Sequence, residues 1–445
     1  MGLIETKAAP AMEAARERYQ RVLRDYGECP LTRGPVLVKN LMRGNRGVPG
    51  GMTDTSFVHP YKGVQFNGDL PCDEAVERAE IPEAIFWYML VEQLPSPDEL
   101  QAFKSDLNAR LEVPGYAWDV LEALPVTTHP MTQLQTVTNA LEGEAEFRDA
   151  YLDGAPSGDY WKLMLDDGLN QIAWQHQVAA AIYRRTFGDG KRTEPDPAHD
   201  WSEQFVRMSG VKDSSGHLTA YMRVYFISHA DHEATNASAN AGAIVNSTLA
   251  TIASTLSATY NALSGPRHGM ANQESLMLIE RVLEQYGGVP TEKQVAEFIN
   301  DLLDSGGLLP GFGHAQLRDT DIRFVVLTNY LATIAEVAEK NDIIRCMRRI
   351  ADVAPGVLSQ RPKISNPHQN IDFGSGAVLS ALGLPQRNFY TVLFCISRMW
   401  GVIAQAVRAR GEGKPIMRPI SLTTAMVEEA ATGGPVALDP YFTDE

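Results

Sequence analysis

The chain is poor in cysteine, in net positive charge and in strand-forming sequence. Its 445 residues include only four cysteines, Cys29, Cys72, Cys346 and Cys395, far apart and without a CxxC pair. That spacing argues against a zinc module or a disulfide scaffold and suits free thiols in a reducing compartment, so a cytoplasmic location is expected. Lys and Arg number 39 against 55 acids, a formal charge of -16. Surfaces that bind nucleic acid or anionic membranes rely on excess Lys and Arg, so neither is expected as the main partner. No secretory pattern opens the sequence, and no run reads as long and charge-free enough to span a membrane. Strand character is confined to the VLV and GVQF runs within residues 36–66, which leaves no βαβ alternation, and no fixed period marks a solenoid.

What remains is helix. With 44% hydrophobic residues, the chain is long enough for a large core divided among two or more domains. Residues 10–26 have helical spacing. SPDELQAFKSDLNARLE opens on Ser96, a first-turn proline and acids, a strong helix start. Residues 158–187 have the apolar period of a long helix, and 188–202 read as a surface loop. Residues 228–274 are made mostly of small side chains with histidines at both ends, and 236–262 read as helical and able to approach neighbours closely.

Several positions carry potential chemistry. In SHADHEATN, His229 and His232 are three apart and would share one side of a helix, with Glu233 and Asn236 continuing a polar edge. Metal ligation, a structural hydrogen-bonded pair and binding of an anion or carbonyl are the readings; HxxHE lacks the order of a zinc-protease motif, and no metal is expected. In GPRHGMAN, His268 sits at a helix break, either facing a cleft or solvated in a loop. His314 follows Pro310, Gly311 and Gly313 and precedes Arg318 and Arg323, a plain turn or a loop suited to phosphate or carboxylate. Asp372 in NIDFGSG is either a helix cap or a partly desolvated base. Arg398, inside an apolar helix, needs a partner, either an acidic side chain or a substrate carboxylate. Arg418 in KPIMRPIS is open to an exposed salt bridge as well. Together the residues suit a dicarboxylate or phosphate-bearing substrate on which charge moves onto oxygen.

These motifs, in order, resemble the citrate synthase family from about residue 35 to about 425. HPMTQL, SHADHEATN, LSGPRHGMANQE, PGFGHAQLRDTDIR, NIDFGSG and FYTVLFCISRMWGVIAQ carry the likeness, which is greatest to the longer, eukaryotic-like branch. The resemblance implies an all-α homodimer with a large domain and a smaller mobile one. It implies a helical extension over 1–34, a large domain over 35–272, a small domain over 273–380, and a return to the large domain with a tail over 381–445. It also implies a transferase of the tricarboxylic acid cycle that joins acetyl-CoA to oxaloacetate, with no permanently bound cofactor.

Residue by residue, His268 resembles the donor to the thioester oxygen, Asp372 the base that takes a methyl proton, and His314 the donor to the oxaloacetate ketone. His232, Arg323 and Arg398 resemble oxaloacetate ligands, and Arg418 resembles an arginine that arrives from the partner subunit. Arg46, Leu309, Pro310, Gly311, Gly313, Arg318, Lys363 and Asn370 look like the coenzyme A side. Four positions depart from the pattern. Ile322 replaces a proline, Arg267 stands where an apolar residue is common, and Gln65 and Asn67 replace two arginines. These departures bear on acyl specificity, so a 2-methylcitrate or longer alkylcitrate synthase is the nearest alternative. A non-catalytic relative is the third, opposed by the presence of His268, His314 and Asp372.

Overall fold

A computed structural model describes residues 2–31 and 36–432. The tail from residue 433 and the expected boundary at 34 and 35 lie outside the described residues. Helices make up nearly all the regular structure, so the chain is all-α as expected. Among the described residues one small sheet interrupts them: β1 (Ser56–His59), β2 (Gly63–Phe66) and β3 (Leu70–Pro71), antiparallel in the order β1-β2-β3. Its register runs from Ser56 opposite Phe66 to His59 opposite Gly63, and Val58, Val64 and Phe66 turn inward. GVQF is therefore a strand, whereas Val38 of the VLV run opens a short helix, Val38–Met42. The Asn40 side chain accepts the Leu37 amide at 2.9 Å and so satisfies a group that a strand would have paired.

The first helix, Leu3–Tyr26, begins earlier than its charge pattern suggests because Ile4 and Ala8 are buried. Ser96 caps Pro97–Asn108 as expected: its hydroxyl accepts the Glu99 amide, and the Glu99 carboxylate takes the Ser96 amide at 2.9 Å. At the centre, Tyr160–Phe187 packs against Tyr390–Glu412. The stretch Arg387–Glu412 has 26 residues and holds an 18-residue window with a mean hydropathy of 1.3, so by length and composition it could cross a membrane, contrary to the expectation that no run would qualify. It is apolar on every side because it is interior, with 94% of that window buried. Trp400 lies edge-on to Phe86 and Trp201, with ring centroids 5.6 and 5.3 Å away.

Residues 236–262 form two helices, Ala237–Ser247 and Ile252–Leu263, with Thr251 capping the second. Their small residues let them touch: a Cβ on Gly242 would stand 2.4 Å from the Thr259 hydroxyl. A second close approach sets up the chemistry. At Gly401 the central helix gives its amide to the Ala230 carbonyl at 3.0 Å, and a Cβ there would lie 2.5 Å from that oxygen. This crossing pins the chain where the His217–His229 helix ends.

Candidate active site

The helix stops at His229, so His229 and His232 do not share a helical face as the spacing suggested. His229 is buried, stacks on Tyr225 at 4.1 Å and places Nδ1 2.9 Å from the Tyr225 carbonyl. His232 lies in the turn beyond. Asp231 anchors that turn, accepting from Thr55 at 2.6 Å, from Gln405 at 2.6 Å and from the His232 amide at 3.0 Å. Asn236 closes it by donating to the His232 carbonyl at 2.7 Å, while its Oδ1 caps the Ala237–Ser247 helix. His232 Nε2 is buried and has no protein partner among the described residues.

The ring of His314 sits 5.3 Å from that of His232. Its Nδ1 accepts the backbone amides of Gln316 and Leu317 at 3.1 and 3.2 Å, which places the proton on Nε2. The preceding glycines let the loop turn back on the next element. Gly311 has a φ of 76°, and a Cβ on it would lie 2.5 Å from the Phe373 Cα. The Asn370 amide bonds the Gly311 carbonyl at 2.9 Å, and its side chain bonds the Gly313 carbonyl at 2.9 Å. Asn370 also caps the Ile371–Ala381 helix by accepting the Asp372 amide at 3.0 Å. Asp372 is thus a first-turn residue and not the cap.

Arg323 is buried and held by Asp321, whose carboxylate takes its Nε at 3.0 Å and Nη2 at 2.6 Å. The same carboxylate accepts the Arg323 and Ile371 amides, tying the start of the Asp372 helix to the arginine. Nη1 of Arg323 has no protein partner among the described contacts. Arg398 donates Nε to the His229 carbonyl at 3.0 Å and lies over the Phe394 ring at 5.0 Å. Its Nη1 reaches Asn236 Oδ1 at 3.4 Å, which leaves Nη2 unpaired among those contacts. The His268 ring lies 6.2 Å from that of Phe394, centroid to centroid. Its Nε2 faces the Ser238 amide at 3.2 Å and the Ser238 hydroxyl at 2.8 Å. An acceptor role toward that helix-start amide puts the proton on Nδ1.

The site keeps its imidazoles neutral. Burial, helped by Arg398, pushes His268 down to about 4. Burial and Arg323 do the same to His314, also to about 4, and hold His232 well below the ordinary histidine range. Burial raises the Asp372 carboxyl to about 6 against the pull of Arg323. A carboxylate of raised basicity among neutral N–H donors and two guanidinium groups can take a proton while charge builds on nearby oxygens.

The remaining expected positions are less concentrated. Leu309 is buried, while Arg318 is anchored by its amide to the Pro60 carbonyl at 2.7 Å and turns its guanidinium onto the carbonyls of 315–317. Pro310 starts the glycine loop at a partly buried position. Arg46 and Lys363 are exposed, and no described contact brings either to that loop. Arg418 is exposed beyond the central helix and does not join the histidines of its own chain. Among the described residues no three His, Cys, Asp or Glu side chains converge as metal ligands.

A family model described as citrate synthase, C-terminal domain, matches residues 44–420. The chain belongs to the citrate synthase family. It is a citrate-synthase-type enzyme, 34% identical over 418 residues to the peroxisomal citrate synthase of Saccharomyces cerevisiae, covering 92% of this chain and 89% of that one. It is 34% identical over 420 residues to mitochondrial citrate synthase 4 of Arabidopsis thaliana, covering 93% and 87%. It is also 33% identical over 421 residues to a mitochondrial 2-methylcitrate synthase of Yarrowia lipolytica, covering 93% and 89%. The fold matches the citrate synthase of Pyrobaculum aerophilum with a TM-score of 0.76 at 23% identity, over 88% of this chain and 95% of that one. A ternary complex of carboxymethyl coenzyme A and oxaloacetate with the Thermoplasma acidophilum citrate synthase matches at 0.72 and 21%, over 88% and 97%.

These relatives correct the expected location. Citrate synthase relatives named mitochondrial or peroxisomal overturn a cytoplasmic reading that rested on cysteine spacing, because free thiols are compatible with more than one compartment. The departures from the family pattern also acquire positions. Ile322 starts the Ile322–Thr333 helix and packs on Gly63, where a Cβ would stand 2.5 Å from its Cγ2. Asn67 donates to the Tyr88 carbonyl at 2.6 Å, Gln65 pairs with Pro71 in the sheet, and Arg267 is exposed. Asp231, Ser238 and Asp321 were not singled out by the sequence. Of these only Asp321 carried a local signal, an acid two residues before an arginine at a helix start.

Proposed function

We propose that this enzyme condenses acetyl-CoA with oxaloacetate and water to give citrate and CoA. The observation that carries the reading is the grouping of unpaired donors, His232 Nε2, Arg323 Nη1 and Arg398 Nη2, in one electrostatic neighbourhood with Asp372 and His314. Two carboxylates and a ketone would use those donors. Asp372 takes a proton from the acetyl methyl group while His268 Nδ1–H donates to the thioester oxygen, where the enolate charge gathers. The carbanion then attacks the ketone, and His314 Nε2–H gives its hydrogen to the forming alkoxide. Water finally cleaves the thioester of citryl-CoA. The loop Leu309–Gly313, with Arg46, Arg318, Lys363 and Asn370, would form the coenzyme A side.

We further assign a mobile small domain over 273–380 that closes on the larger one and keeps bulk water from the thioester. In a homodimer Arg418 would reach the partner's oxaloacetate, in keeping with its exposed position past the central helix. The Yarrowia relative supports a second reading, 2-methylcitrate synthesis from propionyl-CoA. Oxaloacetate-dependent CoA release with acetyl-, propionyl- and hexanoyl-CoA separates the two. Highest kcat/KM with acetyl-CoA supports the first, highest with propionyl-CoA the second, and no release from any of them defeats both.

A further inference from the structure

The His217–His229 and Ile371–Ala381 helices both meet the site, the first with its C-terminal end and the second with its N-terminal end. Tyrosines of the first reach across to the second: the Tyr221 hydroxyl donates to the Ser375 carbonyl at 3.4 Å. Tyr225 lies one helical turn beyond Tyr221 toward His229, and Asp372 lies three residues before Ser375. On helices that run in opposite directions, this register sets the Tyr225 side chain beside the first turn that carries Asp372.

The Tyr225 ring is fixed and its hydroxyl is free. Tyr225 is 1% exposed, stacks on His229 at 4.1 Å and stands edge-on to Tyr221 and Phe226, with centroids 6.2 and 6.0 Å away. Its hydroxyl is buried and has no hydrogen-bond partner among the described residues. Asp372 makes its described hydrogen bond through its amide, to Asn370 at 3.0 Å, which leaves both carboxylate oxygens unpaired among those contacts. A buried hydroxyl left unpaired is costly, and a carboxylate that must ionise gains from a neutral donor.

The neighbouring groups do not fill that role. Arg323 and Asp321, from the start of the Ile322–Thr333 helix, and Arg398, from the central helix, are the charged groups that act on Asp372. Cys395 and Tyr390, which with Arg398 act on Tyr225 from the central helix, already donate to the Met131 sulfur and the Leu384 carbonyl. Burial, and after it the Asp372 carboxylate, holds Tyr225 well above the ordinary phenol range, so its proton stays in place.

We propose that Tyr225 is a positioning residue for the condensation, its hydroxyl donating to the Asp372 carboxylate as that group ionises and fixing which oxygen faces the acyl methyl group. The proposal rests on the assignment of Asp372 as the base. Tyr225→Phe keeps the ring and removes the donor. Without that donor the ionised carboxylate is less favoured, so the acid limb of kcat/KM should move up by about one pH unit. At pH 8, where the base is ionised in both proteins, kcat should fall about tenfold while the oxaloacetate KM stays near that of the parent.

Tyr221→Phe, which removes the bond to Ser375, should leave the acid limb in place, and an equal move there would reduce the effect to packing and overturn the proposal. Tyr225→3-fluorotyrosine preserves the stacked ring and strengthens the donor, so its limb should move down; this result stands even where the phenylalanine variant fails to fold. An acid limb unmoved in folded Tyr225→Phe, or unmoved in the fluorotyrosine protein, would overturn the role of Tyr225. If folded Asp372→Asn is severely impaired, that outcome leaves the base assignment standing; near-normal turnover by Asp372→Asn would overturn both.

Discussion

Asp321 grips Arg323 with both carboxylate oxygens, 3.0 Å to Nε and 2.6 Å to Nη2, and with the same group takes the amide of Ile371, the residue before Asp372. One buried carboxylate thereby orients a proposed substrate ligand and the start of the helix that bears the proposed base. Asp321→Asn should leave a buried guanidinium without its counter-charge and destabilise the fold by about 3–5 kcal/mol, measurable by urea denaturation. The oxaloacetate KM should rise with it. An unchanged KM in a folded variant would show that Arg323 does not need this orientation.

Gly401 is the contact that places the His232 turn. A methyl group there would stand 2.5 Å from the Ala230 oxygen and from the Asp231 Cβ. Gly401→Ala should cost about 1–3 kcal/mol through overpacking and should raise the oxaloacetate KM by displacing His232. Denaturation and steady-state kinetics on the same preparation check both parts.

The pH dependence of kcat/KM should report Asp372. The base works deprotonated, and burial raises its carboxyl to about 6. Activity should therefore hold above that value and fall about tenfold per pH unit below it. An acid limb centred near 4 would point to His268 or His314 as the controlling group.

Stability should decline over a different range. His176 and His268 are pushed down to about 4, and His229 to about 3, chiefly by burial. Each folded-state pKa lies below the unfolded value of about 6.5, so the native state binds fewer protons. The stabilisation is full above 6.5 and lost as pH falls toward 4, up to tenfold per unit in the folding equilibrium for each histidine. His314 and His232 are held down in the same way, whereas Glu83 and Asp167, raised by burial to about 7, and Asp372, raised to about 6, oppose part of the loss as pH falls. Urea midpoints between pH 7 and 4.5 test the sum, and a flat profile would contradict it.

Much of the helical framework is legible in the sequence because its signals are local. Ser96 with Glu99, and Thr291 with Gln294, announce helix starts by capping chemistry that the fold then uses. His268, His314, Asp372, Arg323 and Arg398 stand out because histidines at helix breaks and charges in apolar settings need an explanation. The turn after His229 was not legible, since it depends on Gly401 lying against Ala230 across about 170 residues. Ser238 was equally silent: its amide meets His268 only because a helix start is brought to a distant turn. Arg46, Lys363 and Arg418 are exposed, and no described contact joins them to the histidine cluster.

The most direct test of the account is the turnover of Asp372→Asn, measured as oxaloacetate-dependent CoA release from acetyl-CoA by protein whose fold is checked by circular dichroism. Loss of the base from an otherwise intact donor set should lower kcat by roughly 10²–10⁴-fold with folding preserved. A folded variant with near-normal kcat would contradict the assignment of Asp372 as the group that takes the methyl proton.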